Sequence, residues 1–187
     1  MAWKVITEPA TEPVTLEEVK ADLKMDDIDT DDSLLTELIK VAREACENYT
    51  ERKFIDTVIN EYFDIFGDNL ELSLCPVSSI TEVYYYNTSG VDTELTAANY
   101  QADLVSERSK IYSKIGESFP SIQDEKINPI RVRYTVGYGS AASDVPSPIK
   151  KAIRLKVGDM YKNPEDRVDT LSMLSKALLN QYRVKKF

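Results

Sequence analysis

The apolar positions of this chain change their period twice. Leu16, Val19 and Leu23 recur three and four residues apart, the spacing that lines one face of an α-helix, so a short helix is expected over residues 16–25. Thr15 and Glu18 precede it as Thr-x-x-Glu, a pattern in which hydroxyl and carboxylate each bond the other residue's backbone N–H. Residues 26–32 are acidic and read as a loop. A longer apolar stripe follows through Leu35, Leu38, Ile39, Ala42, Ala45, Cys46 and Tyr49. It predicts a second helix to about residue 51, with Asp31 or Asp32 capping the free N–H groups of its first turn. Residues 3–13, ahead of both helices, read as an extended lead.

From residue 54 the pattern becomes that of strands. Residues 58–66 are rich in β-branched and aromatic side chains, and Leu70, Leu72 and Leu74 alternate. Residues 80–87 contain Val83 and the run Tyr84-Tyr85-Tyr86, ending at Ser89-Gly90. Residues 100–104, 110–114 and 130–136 are further strand candidates. No helical period separates them, so a small antiparallel sandwich or barrel-like sheet is expected rather than a parallel one. After Gly137-Tyr138-Gly139 the helical period returns. Ser147 as cap and Pro148 at the first helical position open a helix through Ile149, Ala152, Ile153, Val157, Met160 and Tyr161. Asn163-Pro164 stops it. A last helix from Asp169 or Thr170 to about Asn180 carries Leu171, Leu174, Leu178 and Leu179, and a basic, extended tail covers residues 181–187. The chain thus reads as α+β, with about four helices interrupted by a small antiparallel β insertion. Residues 1–53 form the N-terminal helical part, 54–140 the insertion, and 141–187 the C-terminal helices and arm.

Composition narrows the chemistry. The chain has 187 residues, enough for one domain with an insertion, at 42% hydrophobic and 29% charged. It has no histidine, which removes imidazole bases, Ser-His-Asp and Cys-His arrangements, and histidine metal sites. Two cysteines, Cys46 and Cys75, are too few for a disulfide framework and read as reduced, core or half-buried residues of an intracellular protein. No apolar run reaches the roughly 18 residues of a membrane helix, and the N-terminus lacks a signal-peptide pattern. The formal charge of −9 disfavours gripping DNA, which needs a basic face, and does not argue against a channel through which DNA must slide without sticking.

No local motif survives as a catalytic, cofactor or metal site. The run Asp27-Ile28-Asp29-Thr30-Asp31 resembles the start of an EF-hand, but Asp32 stands at the required glycine and Leu38 at the required glutamate. It reads as a solvated, helix-capping loop. Gly137-Tyr138-Gly139-Ser140 lacks the lysine and layout of a phosphate loop and reads as a turn. Strand alternation puts Tyr84 and Tyr86 on one face and Tyr85 on the other, with no neighbouring basic residues, so sheet packing or a subunit contact is expected rather than base stacking. Carboxylates are plentiful without any pair standing out. The tail mixes Arg183, Lys185 and Lys186 with Tyr182, Val184 and Phe187. It reads either as a frayed terminus or as an arm that docks on a partner.

Several phrases taken in order resemble phage head–tail connector (adaptor) proteins. They are Thr15-Leu16-Glu17-Glu18-Val19-Lys20-x-x-Leu23, the acidic loop, Leu34-Leu35-x-x-Leu38-Ile39-x-x-Ala42-Arg43, and Cys46-Glu47-Asn48-Tyr49-Thr50. Later come Arg131-Val132-x-Tyr134-x-x-Gly137-Tyr138-Gly139, Val145-Pro146-x-Pro148-Ile149-Lys150-x-Ala152-Ile153, and Leu178-Leu179-x-x-Tyr182-Arg183-Val184-x-x-Phe187. The family phrase leading into the β region usually has glycine where this chain has Glu51. The resemblance implies a helical connector core with a β insertion, no catalytic residues and no cofactor. It implies a dodecameric ring below the portal protein in the virion neck, assembled in the host cytoplasm. Such a ring extends the DNA channel, with double-stranded DNA only as passing cargo, and offers a platform to the next neck or tail-completion protein. No membrane is involved. The arm expected to engage the portal comprises Leu178, Leu179, Tyr182, Arg183, Val184, Lys185, Lys186 and Phe187. The competing readings are a neck stopper or tail-completion protein of the same kind of particle and, more remotely, a carboxylate-based hydrolase.

Overall fold

The computed structural model describes residues 2–25, 28–123, 125–163 and 171–184. Among these, the chain forms two compact units, each discontinuous in sequence. A sheet unit takes residues 1–8 and 56–137, and a helical unit takes residues 9–55 and 138–187.

In the helical unit, α1 (Leu16–Leu23) begins with the expected capping box. The Glu18 N–H donates to the Thr15 hydroxyl at 3.2 Å, and the Thr15 N–H donates to the Glu18 carboxylate at 3.1 Å. Helix α2 (Asp32–Thr50) buries Leu35, Ile39, Ala42 and Cys46 on one face. Helix α3 (Ser147–Lys162) lays Ile149, Ala152, Ile153 and Val157 against it. Each of the leucine, isoleucine and valine side chains contributes about 1.5–3 kcal/mol when fully buried. Helix α4 (Met173–Leu179) starts at a Ser172 cap, later than the expected start at Asp169 or Thr170, which lie outside the described residues. Leu171 is buried ahead of this helix, whereas Leu174 is exposed.

Two helix starts differ from expectation. Asp31 occupies the cap position of α2, but its carboxylate accepts from the Tyr161 hydroxyl at 2.5 Å instead of from a backbone N–H. Pro146, not Ser147, is the cap residue of α3, and Ser147 is already helical.

The stripe on α2 also carries charge into the core. Arg43 and Glu47, one turn apart, are both buried. Arg43 reaches Glu47 at 3.1 Å and Glu12 at 2.7 Å. Glu47 also accepts from Lys53 at 2.8 Å and from the Phe54 N–H at 3.0 Å. Burial works against the guanidinium charge, and Glu47 and Glu12 more than offset it, so the Arg43 pKa lies above its ordinary value.

The sheet unit holds two antiparallel sheets. The first has strand order β1-β2-β8-β4-β5, with β1 (Ala2–Thr7), β2 (Thr57–Phe63), β4 (Val77–Tyr86), β5 (Asp92–Glu94) and β8 (Ile130–Val136). The second has order β3-β7-β6, with β3 (Leu70–Glu71), β6 (Tyr100–Asp103) and β7 (Lys110–Ser113). The first part of the lead expected as extended is thus strand β1, an edge of the larger sheet, while the rest of it, from Pro9, belongs to the helical unit, and β5 had no counterpart in the sequence pattern. Alternation on β8 sends Ile130, Val132, Tyr134 and Val136 into the core and Arg131 and Arg133 to the other face.

One carboxylate is fully buried in this core. Glu61 accepts from the Tyr134 hydroxyl at 2.7 Å and from the Ser73 N–H at 3.1 Å, with the Ser73 hydroxyl as a further donor. Burial, then Glu61, pushes the Tyr134 phenol above its ordinary value of 10. The cysteines lie one in each unit, both buried and free, and burial pushes the Cys46 thiol up to about 12.

Two stability predictions follow from the buried polar groups. Arg43→Met breaks the buried pair, leaving Glu47 with Lys53 alone as counter-charge, and should lower unfolding free energy by about 3–5 kcal/mol, read by urea titration. Tyr134 favours the neutral phenol in the folded chain, so its contribution is complete below pH 10 and is lost as pH rises further. Tyr134→Phe should therefore cost roughly 1–3 kcal/mol at neutral pH and flatten the alkaline fall in stability measured by the same titration.

Candidate functional site

The C-terminal segment is seated on the far end of α2. Leu179 belongs to the helical core, with Leu178 and Tyr182 packed against it, and Val184 is buried. The Val184 N–H donates to the Thr50 carbonyl at 3.0 Å. The Tyr49 hydroxyl donates to Asn180 Oδ1 at 2.7 Å, and Arg52 Nε donates to the Tyr182 carbonyl. The exposed Arg183 guanidinium stands over the Tyr49 ring, 5.2 Å from its centroid.

The tail expected to be extended from residue 181 instead continues as a 3-10 turn over Asn180–Tyr182 and becomes extended only at Arg183. The physical reason is apolar burial: Leu179 and Val184 leave water only if the intervening residues curl back onto α2. Of the eight expected arm residues, Leu178, Leu179, Tyr182 and Val184 are built into the helical unit, and Arg183 lies at its surface. Lys185, Lys186 and Phe187 lie outside the described residues.

The end of α2 explains the glycine position in the family phrase. Glu51 caps the helix at φ 57°, ψ 32°, in the left-handed region, where a Cβ is strained by about 1–2 kcal/mol and glycine is not.

The other features singled out in the sequence fall into place locally. In the acidic loop, Asp29 and Asp32 pair with Lys20 at 2.6 and 2.9 Å. Asp26 and Asp27 lie outside the described residues. The space a phosphate loop would keep open above Gly139 holds the Asp144 carboxylate, whose Cγ lies 2.7 Å from where a Cβ on Gly139 would sit. That carboxylate accepts from the Ala141 N–H at 3.0 Å. The two buried carboxylates described above, Glu47 and Glu61, are each fully engaged inside their own unit.

Tyr84 and Tyr86 share one face, and Tyr85 packs toward the core. The chain does bring cations to them, although not from adjacent positions: Arg131 stands 5.0 Å from the Tyr84 ring and Lys126 3.6 Å from the Tyr86 ring. Tyr86, Lys126 and Arg131, with Lys4 and Tyr62, border a concavity of about 450 Å³ at the five-stranded sheet. Sequence reasoning missed this cluster because it looked for basic residues beside the tyrosines. The signal lay in the alternation of Arg131 and Arg133 with Val132 and Tyr134.

These features define an α+β protein whose buried charges are structural and whose distinctive groups lie on surfaces and at a chain end. The chain belongs to the family of phage gp6-like head-tail connector proteins, whose model matches residues 13–131. Solved structures agree in fold over all of this chain. A chain of the virion of a native gene transfer agent (GTA) particle superposes with TM-score 0.85 at 20% identity, covering 100% of this chain and 97% of that one. A chain from the neck of an empty GTA particle, computed with C6 symmetry, gives TM-score 0.84, and one from the neck of a native GTA particle, computed with C12 symmetry, gives 0.76, each at 20% identity and the same coverage. No curated protein matches in sequence.

Glu51→Gly relieves the left-handed strain at the end of α2, less the extra backbone entropy of glycine. It should raise unfolding free energy by about 0.5–1 kcal/mol, seen as a higher midpoint in urea.

Proposed function

We propose that this chain is a structural head–tail connector subunit that forms a ring below the portal in the virion neck, extends the DNA channel and carries the next neck protein. The observation that supports this best is the coincidence of two independent likenesses. The connector family covers residues 13–131, and the whole chain shares its fold with chains of particles whose necks were computed with C6 and C12 symmetry. A ring is a head-to-tail assembly that closes, so each copy needs two unlike contact faces. Two discontinuous units give the chain separate surfaces for that purpose. The net charge of −9 fits a wall along which DNA moves without being held, because phosphate contacts from lysine and arginine are what retain it.

The portal contact is assigned to the C-terminal end, with a division of labour that its packing suggests. Leu178, Leu179, Tyr182 and Val184 anchor the segment on α2, and Arg183 with Lys185, Lys186 and Phe187 make the contact. Two truncations separate these roles. Ending the chain after Val184 should leave the urea midpoint unchanged and abolish capture by immobilised portal protein. Ending it after Gln181 also removes Tyr182 and Val184 and should destabilise the helical unit by at least roughly 1.5–3 kcal/mol, the value of the buried Val184 side chain alone. Undiminished portal capture by the chain ending at Val184 would defeat the assignment.

A further inference from the structure

The five-stranded sheet is open, and its two edges differ. At one edge, β1 is a strand of 6 residues, exposed at every described position except the half-buried Val5, with Trp3 and Ile6 both about half exposed. At the other, β5 has 3 residues, with exposed Val91 just before it. Among the described residues, no backbone hydrogen bond reaches either strand from outside the sheet. A bare edge is a template for another strand, and folded proteins usually blunt it with charge, proline or a covering segment. Here β1 carries a single charge, Lys4.

The register shows how charge is distributed across the outer face. Lys4 lies opposite Asn60, Asn60 opposite Arg133, and Arg133 opposite Glu82. In the flanking rows, Tyr84 lies opposite Glu94 and Tyr86 opposite Asp92. Positive charge therefore stands on β1 and β8 and negative charge on β4 and β5. Some of it is neutralised within the sheet, by Arg133–Glu82 at 2.8 Å and Arg131–Asp92 at 3.5 Å. Lys4 at one edge and Glu94 at the other have no ion-pair partner among the described residues. Every neighbouring pair is antiparallel, so β1 and β5 run in the same direction. Two copies side by side in the same orientation set the acidic edge of one beside the basic edge of the next.

We propose that the sheet units of adjacent copies join edge to edge, with β5 of one copy pairing in parallel with β1 of the next and with Asp92 and Glu94 facing Lys4. This rests on the ring reading above and assigns a strand to each of the two unlike contact faces, β5 to one and β1 to the other. A contact between unlike edges leaves an unlike edge free on each side, so it propagates and closes into a ring instead of stopping at a dimer. Pairing of β1 with itself would bring Lys4 toward Lys4 and lacks that complementarity. The short β5 limits the ladder to two or three residues, so the contact adds to others made elsewhere on the subunit.

Cross-linking tests this on rings assembled on portal protein. Adjacent paired strands lie about 4.8 Å apart, within the Cα separation a disulfide spans. A chain carrying both Lys4→Cys and Glu94→Cys should give, on mild oxidation, a ladder of covalent oligomers up to the full ring. A control carrying Lys4→Cys and Gln101→Cys, the latter exposed on the other sheet, should give none. The native Cys46 and Cys75 are buried and stay silent. Unmodified rings of mixed light and heavy copies, coupled with a carbodiimide, should yield peptides joining Lys4 to Asp92 or Glu94 between copies. Rings seen by electron microscopy without either cross-link would overturn the edge pairing and leave the ring reading standing. Absence of rings with and without portal would overturn the ring reading, and the edge pairing with it.

Discussion

The buried pair of Arg43 and Glu47 is the interaction on which the helical unit turns. Glu12 comes from the segment that has just left β1, and Lys53 and Phe54 come from the segment about to enter β2. Both engage charges on the same two turns of α2. The chain leaves the helical unit for a whole sheet and returns to it, and this cluster secures the departing ends. Such a pair is weak as a source of stability, because desolvation offsets much of the attraction. Its value is geometric: a buried charge accepts few arrangements of its partners, so it fixes where the two segments lie.

The sheet unit solves the matching problem with a neutral donor. Glu61 sits among apolar side chains and is held by the Tyr134 hydroxyl and by Ser73, linking β2 to β8 and to the segment just after β3. Apart from these internal contacts, the described surface offers a C-terminal segment clasped to α2, a sheet face on which cations stand over tyrosine rings, and two unlike sheet edges. The proposed ring draws on these surfaces, with specificity from shape and complementary charge.

Much of the fold could be read from periodicity. The stripe on α2, the Thr15–Glu18 box and the alternation on β8 are local patterns set by one segment's own burial. The failures have long-range causes. Strand β1 looked like a lead because its partner β2 lies more than fifty residues away. Strand β5 is too short to show a period. Asp31 gave up its cap because Tyr161, 130 positions along, supplies a better donor. The tail looked free because its basic residues outweighed the spacing of Leu179 and Val184, which only the end of α2 can satisfy. The resemblance to connector proteins carried the functional class, and the Glu51 position it flagged proved to be a left-handed cap. The cation–tyrosine cluster was less legible, because Arg131 with Tyr84 and Lys126 with Tyr86 meet only after the strands pair.

The central claim is that this molecule works as one of many identical wall segments between head and tail. Cryo-electron microscopy of the neck of the particle that encodes it tests this most directly. The account predicts a closed ring of this chain directly beneath the portal, its C-terminal residues against the portal and its acidic surface toward the DNA. A single copy, an open arrangement, or a ring placed further down with no portal contact would contradict it.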